Sequence, residues 1–158
     1  MGNPIKYADP LGLYLPFWHY NFTVIGATNG GMSFKDASKL ASMVVKVDKG
    51  TQEPYQSHMH AMCAKGLSKA VCEKNFSNYV NHEFNKCTKK GLARVIHAWQ
   101  DFYSRGHSGF HEYSGLSHLP LNHPYYDGAP TNDEAIGVPL VTQSIVQMWK
   151  EKCQCGSH

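Results

Sequence analysis

The stretch from Thr88 to His107, TKKGLARVIHAWQDFYSRGH, decides the fold prediction. Its leucine, valine, isoleucine and tryptophan side chains recur at helical spacing and form one apolar stripe. His97 and Asp101 are four residues apart, so they share one face of this helix. We expect the helix to end near residues 104–106, where the chain can turn and bring His107 back toward the pair. Two imidazoles and one carboxylate would then converge, and such donors suit zinc and similar divalent ions.

An isolated His-x3-Asp pair more often belongs to an ordinary helix, with a histidine at the edge of the core and a solvated carboxylate. The companions of this pair favour the metal interpretation. The chain contains ten histidines, and most of them cluster around predicted loops and short helices, where ligands can be directed at one point. The further candidate ligands, in chain order, are His19, Asp48, His58 or His60, and then His118 or His123 with Asp127.

The composition is that of one globular domain. The chain has 158 residues, of which 42% are hydrophobic and 17% are charged, and it is long enough to bury a core. The net charge of +3 is too small to indicate nucleic-acid binding by itself. No apolar run approaches the roughly 18 residues of a membrane span. Residues 1–13 lack the basic start and the apolar core of a signal peptide.

Helix-start signals predict the other elements. A first helix is expected over Leu15–Ala27, and serines at positions 33 and 68 precede two further apolar periodicities. The sequence Thr131-Asn-Asp-Glu134 has the pattern of a capping box and opens the last helix. Since no stretch favours a strand, we predict an all-α bundle of five or six helices with a metal-binding cleft. The residues expected to line the last helix are Ile136, Leu140, Ile145, Met148 and Trp149.

Two further features of the sequence are its cysteines and one long segment without a clear period. Five cysteines contain no Cys-x-x-Cys pair, so a zinc ribbon is not expected. One or two disulfides are possible, and the odd number leaves at least one free thiol. The segment Ser104–Pro130 has no strong period and is rich in Gly, His, Pro and Tyr. A segment of this length in a compact domain is usually functional.

The ligand pattern resembles that of the zinc-dependent phospholipase C family and of its relatives, the secreted zinc nucleases that cut single strands. Both are all-α and hold three zinc ions in a cleft. Both carry His-x3-Asp-x5-His on a central helix, and His97, Asp101 and His107 match that spacing. The resemblance therefore implies a site of one to three zinc ions, in which Asp48 or Asp101 orients the attacking water.

The same resemblance implies the outer ligands. Both families place a histidine on the first helix, an aspartate before a loop and a histidine soon after it. Both finish with a histidine and an acid, and the acid here is an aspartate, as in the nucleases. Both also use the amine of an N-terminal tryptophan, which has no counterpart here unless cleavage after Leu13 frees a new terminus. The implied outer ligands are His19, Asp48, one of His58 and His60, and His123 with Asp127.

The first residues carry a second resemblance. Asn3–Leu13 reads NPIKYADPLGL, which is similar to the DPxGL junction of rearrangement hotspot (Rhs) proteins. In those proteins a large β-rich shell ends at the motif, is cut after it, and encloses a variable toxin. The resemblance implies that residues 1–13 are a junction remnant and that residues 14–158 are the toxin domain. It also implies a cognate immunity protein and delivery into a target bacterial cell, for example as a type VI secretion effector.

Three functions remain open at this point. The first is an antibacterial toxin that hydrolyses phosphodiesters in the manner of phospholipase C. The second is a zinc-dependent nuclease toxin, which the basic residues Lys86, Lys89, Lys90 and Arg94 would support. The third is a metal-binding module without enzymatic activity. Because the net charge is low for a nuclease, the sequence favours a phospholipid substrate over a nucleic acid.

Overall fold

Five α-helices dominate the computed structural model, which describes residues 16–51, 53–104, 109–113 and 130–154. The prediction of an all-α fold is confirmed. Within the described residues, none of the helices is long and apolar enough to cross a membrane. The α-helices are α1 (Pro16–Asn29), α2 (Phe34–Val45), α3 (Lys69–Asn85), α4 (Lys89–Tyr103) and α5 (Asn132–Gln154).

Short elements join these helices. Two 3-10 helices, Lys46–Asp48 and Pro54–His60, follow α2. Two strands of two residues each, β1 (Cys63–Ala64) and β2 (Glu112–Tyr113), pair in parallel, with Cys63 opposite Glu112. The sequence did not predict these strands, because two residues are too few to show an alternating pattern. The segment containing His58 and His60 is the second 3-10 helix.

The helices begin where the capping residues predict. The Ser33 side chain accepts a hydrogen bond from the backbone of Asp36 at the start of α2, and Ser68 does the same for α3. Thr88 caps α4 through the backbone N–H of Gly91. A hydroxyl or carboxylate at this position satisfies a backbone donor that the helix itself leaves without an acceptor. The predicted capping box of α5 is confirmed, with the Thr131 N–H donating to the Glu134 carboxylate over 2.6 Å.

Helix α4 lies at the centre of the core. Its apolar residues Leu92, Val95 and Ile96 are at most 1% exposed and pack in one cluster with α1, α2 and α5. Ala98, on another face, belongs to a second cluster built on Phe76 of α3. Since α4 is covered by both clusters, any polar side chain that it directs inward is removed from water.

Helix α1 approaches α5 through glycine. A Cβ atom at Gly26 would lie only 2.5 Å from the Cβ of Thr142, so only glycine permits this approach. Gly30 repeats the arrangement one turn later, where a Cβ would lie 2.9 Å from a Val146 methyl group. The close contact brings the Thr142 hydroxyl into the interior, where it takes part in the polar network described below.

The buried side of α5 differs from the prediction. Ile145 and Trp149 are buried as expected, whereas Ile136, Leu140 and Met148 are 66%, 54% and 52% exposed. The predicted set mixes two helical phases. The residues that face the core recur at spacings of three and four along a single stripe, which the helix period requires. This stripe consists of Val138, Thr142, Ile145, Val146 and Trp149.

Two disulfides connect the elements. Cys63–Cys72 joins β1 to α3, and Cys87–Cys153 joins the segment before α4 to α5. The sequence allowed one or two bridges without specifying partners. The second bridge spans 66 residues of sequence, and cross-links that close long loops restrict the unfolded chain most. Both bridges therefore contribute to holding the helices around α4.

Candidate metal centre

Four separate elements deliver five histidine and aspartate side chains to one point beside α4. All except Asp48 are buried, with no more than 3% of the residue exposed, and the Asp48 side chain is 22% exposed. Asp48 therefore marks the side on which solvent reaches the cluster. The five residues are His19 on α1, Asp48 and His60 at the ends of the two 3-10 helices, and His97 and Asp101 on α4.

Short separations link four atoms of this cluster. The four atoms are His60 Nδ1, His97 Nε2, one oxygen of Asp48 and the Oδ2 of Asp101. The two histidine nitrogens are 3.2 Å apart. Asp101 Oδ2 lies 2.9 Å from the His60 nitrogen and 3.2 Å from that of His97. The Asp48 oxygen lies 3.8 Å and 3.3 Å from the same two nitrogens.

These separations are compatible with a metal coordination shell. Tetrahedral zinc binds histidine nitrogen at about 2.0–2.1 Å, so two ligand atoms of one ion lie about 3.3 Å apart. The five separations that involve a histidine nitrogen, from 2.9 to 3.8 Å, scatter around that value. The side chains therefore fit a divalent cation of the size of zinc.

His19 reaches the cluster from the opposite side. Its Nε2 lies 3.3 Å from the second Asp101 oxygen, Oδ1, and its ring stacks on that of His97 with 4.5 Å between the centroids. Asp101 thus presents one oxygen to His60 and His97 and the other to His19. Two overlapping groups could hold an ion: His19, His97 and Asp101, or Asp48, His60 and His97. His97 Nε2 belongs to both and offers one lone pair, so it can bind only one ion at a time.

Hydrogen bonds behind the histidines fix their orientation and tautomer. His97 Nδ1 lies 3.1 Å from the carbonyl oxygen of Val44, which can only accept, so Nδ1 carries the proton. His60 Nε2 donates in the same way to the Thr51 carbonyl at 3.1 Å and to its hydroxyl oxygen at 3.0 Å. The Thr51 hydroxyl hydrogen is directed to the Val47 carbonyl. In each case the other ring nitrogen faces the cluster, where it would offer its lone pair to a bound metal ion, and this is the arrangement found behind metal-binding histidines.

Gln100 fixes the orientation of His19 through a hydrogen bond, and the sequence analysis did not identify it. Its amide oxygen accepts from His19 Nδ1 over 2.7 Å, and its nitrogen donates to the hydroxyls of Thr23 and Thr142. Both hydroxyls donate in turn to backbone carbonyls, so they must accept from Gln100. The amide is therefore held with its oxygen toward His19. The available signal was the position of a polar residue three after His97, on the buried face of α4.

A cation could balance the buried carboxylates of the cluster. Every ion pair that the structure describes for Asp101 is with a histidine. Burial lowers the pKa of His97, but the carboxylates of Asp101 and Asp48 outweigh burial and hold that pKa well above its usual value. Burial raises the pKa of Asp101, but His97, His19 and His60 outweigh it and hold that pKa well below its usual value. A divalent cation would satisfy the same carboxylates and lone pairs more completely than a proton on one ring.

The structure separates the predicted ligands into three groups. It brings His19, Asp48, His60, His97 and Asp101 together, in the chain order that the sequence suggested. It places His58 away from them, with its ring against Tyr79 at 5.4 Å, because residues two apart on a 3-10 helix lie on different faces. The predicted ligands His107, His123 and Asp127, and the alternative His118, lie outside the described residues.

Comparison with known proteins adds no relative. Neither a protein-family model, nor a curated protein, nor a solved structure matches the chain. The geometry of the centre and the two resemblances in the sequence are therefore what indicate a function.

Proposed function

We propose that the protein is a zinc-dependent phosphodiester hydrolase. The observation that carries the proposal is the convergence of five buried histidine and aspartate side chains, each histidine being held by a hydrogen bond on its far nitrogen. Nitrogen and carboxylate donors with these separations suit zinc better than calcium or magnesium, which prefer shells of oxygen atoms. The chain order of the ligands supports the resemblance to phospholipase C and the zinc nucleases.

The centre has the parts that phosphodiester hydrolysis needs. A bound divalent cation supplies Lewis-acid polarisation of the phosphate and activation of water at neutral pH. Four of the candidate ligands are buried, and their part would be to hold the ion. Asp48 is the partly exposed one: burial raises its pKa, but His97 and His19 outweigh burial and hold the pKa below its usual value. Its carboxylate is thus ionised at neutral pH and can accept a hydrogen bond from the attacking water.

We further propose that this hydrolase is the toxin domain of an Rhs protein. The support is the sequence Asp9-Pro10-Leu11-Gly12-Leu13, which is similar to the Rhs junction. The two disulfides are also in keeping with passage through an oxidising compartment outside the producing cell. A cognate immunity protein would then block the centre, and the predicted place for it is the segment Ser104–Pro130.

Hydrolysis of a small diester tests the chemistry without assuming a biological substrate. The full chain should bind zinc, hydrolyse bis(p-nitrophenyl) phosphate, lose the activity in EDTA and recover it when zinc is restored. Asp48→Asn should lower kcat at least about tenfold, beyond what any loss of bound zinc accounts for, and Asp133→Asn, which removes an acid in the first turn of α5, should have no effect. Zinc binding without turnover would instead support a metal-binding module, and a folded protein that binds no zinc would refute the proposal.

Expression in bacteria tests the toxin assignment separately. The full chain should arrest growth when it is directed to the compartment that contains its substrate, and His97→Ala should relieve the arrest. Growth at the normal rate with an active, folded enzyme in both the cytoplasm and the periplasm would refute the toxin assignment and leave the hydrolase proposal standing. The arrest alone does not choose between a phospholipid and a nucleic acid, since the reaction at phosphorus is the same.

A further inference from the structure

The face of α4 that carries the metal ligands also carries two cations. Lys90 and Arg94 precede His97 and Asp101 at spacings of four, three and four residues, so all four share one stripe of the helix. With a rise of about 1.5 Å per residue, Arg94 and Lys90 begin about 4.5 Å and about 10.5 Å before His97 along the axis. The stripe leads from a basic surface directly to the centre.

A pocket of about 320 Å³ lies beside this part of the stripe, between the first half of α4 and the segment after α2. Four basic side chains line it: Lys46 and Lys49 from that segment, and Lys90 and Arg94 from α4. Thr51 also lines the pocket, and its hydroxyl oxygen accepts the hydrogen bond from His60 Nε2. One residue therefore separates the pocket from a proposed zinc ligand.

The pocket carries a net positive charge. In the part of the chain that the structure describes, no carboxylate lies within 4.0 Å of the ammonium groups of Lys46, Lys49 or Lys90. Arg94 pairs with Glu83 at 3.1 Å, but Lys86 pairs with the same carboxylate at 2.6 Å. The whole chain has a charge of only +3, so these cations are a local concentration and not the general character of the surface. Four cations around one concavity, of which only one pairs with a carboxylate there, select an anionic ligand.

We propose that this pocket binds a phosphate of a single-stranded nucleic acid whose neighbouring phosphodiester lies at the metal centre. The inference rests on the proposed function and names its substrate. A phosphatidylcholine or phosphatidylethanolamine headgroup carries one phosphate and one ammonium. Its phosphate would occupy the centre, and its ammonium would be repelled by the basic side chains of the pocket. A flexible nucleic-acid strand can place successive phosphates at the pocket and at the centre. The pocket therefore reverses the preference for a lipid that the low net charge suggested.

A paired neutralisation tests the pocket. The variant Lys46→Gln with Lys90→Gln removes two of its charges. The variant Lys65→Gln with Lys74→Gln removes the same charge from exposed positions outside the pocket and serves as the matched control. Binding of a fluorescent single-stranded oligonucleotide is measured by anisotropy in EDTA, where nothing is cleaved, at several salt concentrations. Hydrolysis of the oligonucleotide and of bis(p-nitrophenyl) phosphate is measured with zinc present.

The pocket variant should bind the oligonucleotide about tenfold more weakly, and the slope of its salt dependence should fall by about 0.7, the value for one lost phosphate contact. With zinc, its KM for the oligonucleotide should rise while its kcat and its hydrolysis of the small diester stay unchanged. The control should behave as the unaltered protein does. Equal losses in both variants, or none in either, would overturn the pocket assignment.

The two proposals fail in different ways. If the zinc-loaded protein hydrolyses phosphatidylcholine vesicles and the small diester but not the oligonucleotide, the pocket assignment is wrong and the hydrolase proposal stands. If the small diester is not hydrolysed, the hydrolase proposal fails, while the anisotropy result still decides whether the pocket binds a nucleic acid.

Discussion

The two sides of α4 are buried in different ways. One side carries His97, Gln100 and Asp101, each at most 1% exposed and each held by polar partners. The other side carries Trp99 and Phe102, which pack against aromatic rings of α3 and of the segment before β2. The first side is held by directed hydrogen bonds, and the second, where Trp99 and Phe102 are partly buried, is held by apolar contacts.

The two sides differ in how strictly the distances and angles of their contacts are set. On the aromatic side, Phe76 touches three rings, those of Trp99, Phe102 and Phe110, with centroids 5.4 to 5.7 Å away. Such contacts gain free energy over a range of angles. On the polar side, a buried nitrogen or oxygen that loses its partner costs the full penalty of its desolvation. A protein that needed only stability would fill both sides with apolar residues, so the polar side indicates a function.

The largest effect should follow from removing a ligand on the polar side. His97→Ala deletes the nitrogen that lies 3.2 Å from both His60 Nδ1 and Asp101 Oδ2. We expect zinc affinity and hydrolysis to fall at least about a hundredfold, since the metal supplies most of the rate. Zinc content and kcat/KM on the small diester measure the effect, and His82→Ala, an exposed histidine of α3, is the control. A folded His97→Ala protein with normal zinc content would remove His97 from the centre.

Removing a ring on the aromatic side should produce the opposite profile. Phe76 is 4% exposed, and Phe76→Ala should lower the free energy of unfolding by about 3–5 kcal/mol, the usual cost of a large cavity. Zinc affinity of the folded protein should change by less than about threefold, because none of the contacts that the structure describes for Phe76 is with a residue of the centre. Denaturant unfolding and a zinc titration measure the two quantities. Phe34→Ala, at a residue 69% exposed, should change neither, and a large loss of zinc affinity in Phe76→Ala would show that the two sides are coupled.

The sequence predicted site residues best where two of them lie on the same helix. The period of residues 89–103 predicted α4, and a spacing of four was enough to place His97 and Asp101 on one face of it. Chain order alone suggested His19 and Asp48, which the fold brings to the same point from α1 and the first 3-10 helix. Chain order did not distinguish His58 from His60, because the distinction depends on which face of the 3-10 helix lies against the centre.

Other features depend on contacts between distant residues and leave little trace in the sequence. Gln100 meets His19 across 81 residues of sequence and Thr142 across 42. The approach of α1 to α5 that makes this meeting possible depends on Gly26, and a single glycine in a helical stretch does not show which helix it will contact. The pocket beside the centre was also hidden, since its four cations come from two segments and the net charge of the chain is small.

Gln100 provides the smallest and sharpest test of the comparison, because it is polar, buried and not itself a ligand. Gln100→Leu keeps the volume but removes the acceptor of His19 Nδ1, so the ring loses the bond that holds its orientation. Zinc affinity should fall about 10–100-fold, the usual cost of losing an outer partner of a metal-binding histidine. Gln147→Leu, the same change at an exposed position of α5, should have no effect.

Gln100→Glu restores an acceptor for His19 while removing the donor to Thr23 and Thr142, so it should recover zinc affinity more than stability. If Leu and Glu at this position lowered zinc affinity equally, Gln100 would act through packing alone, and the polar side of α4 would be held by the same means as the aromatic side.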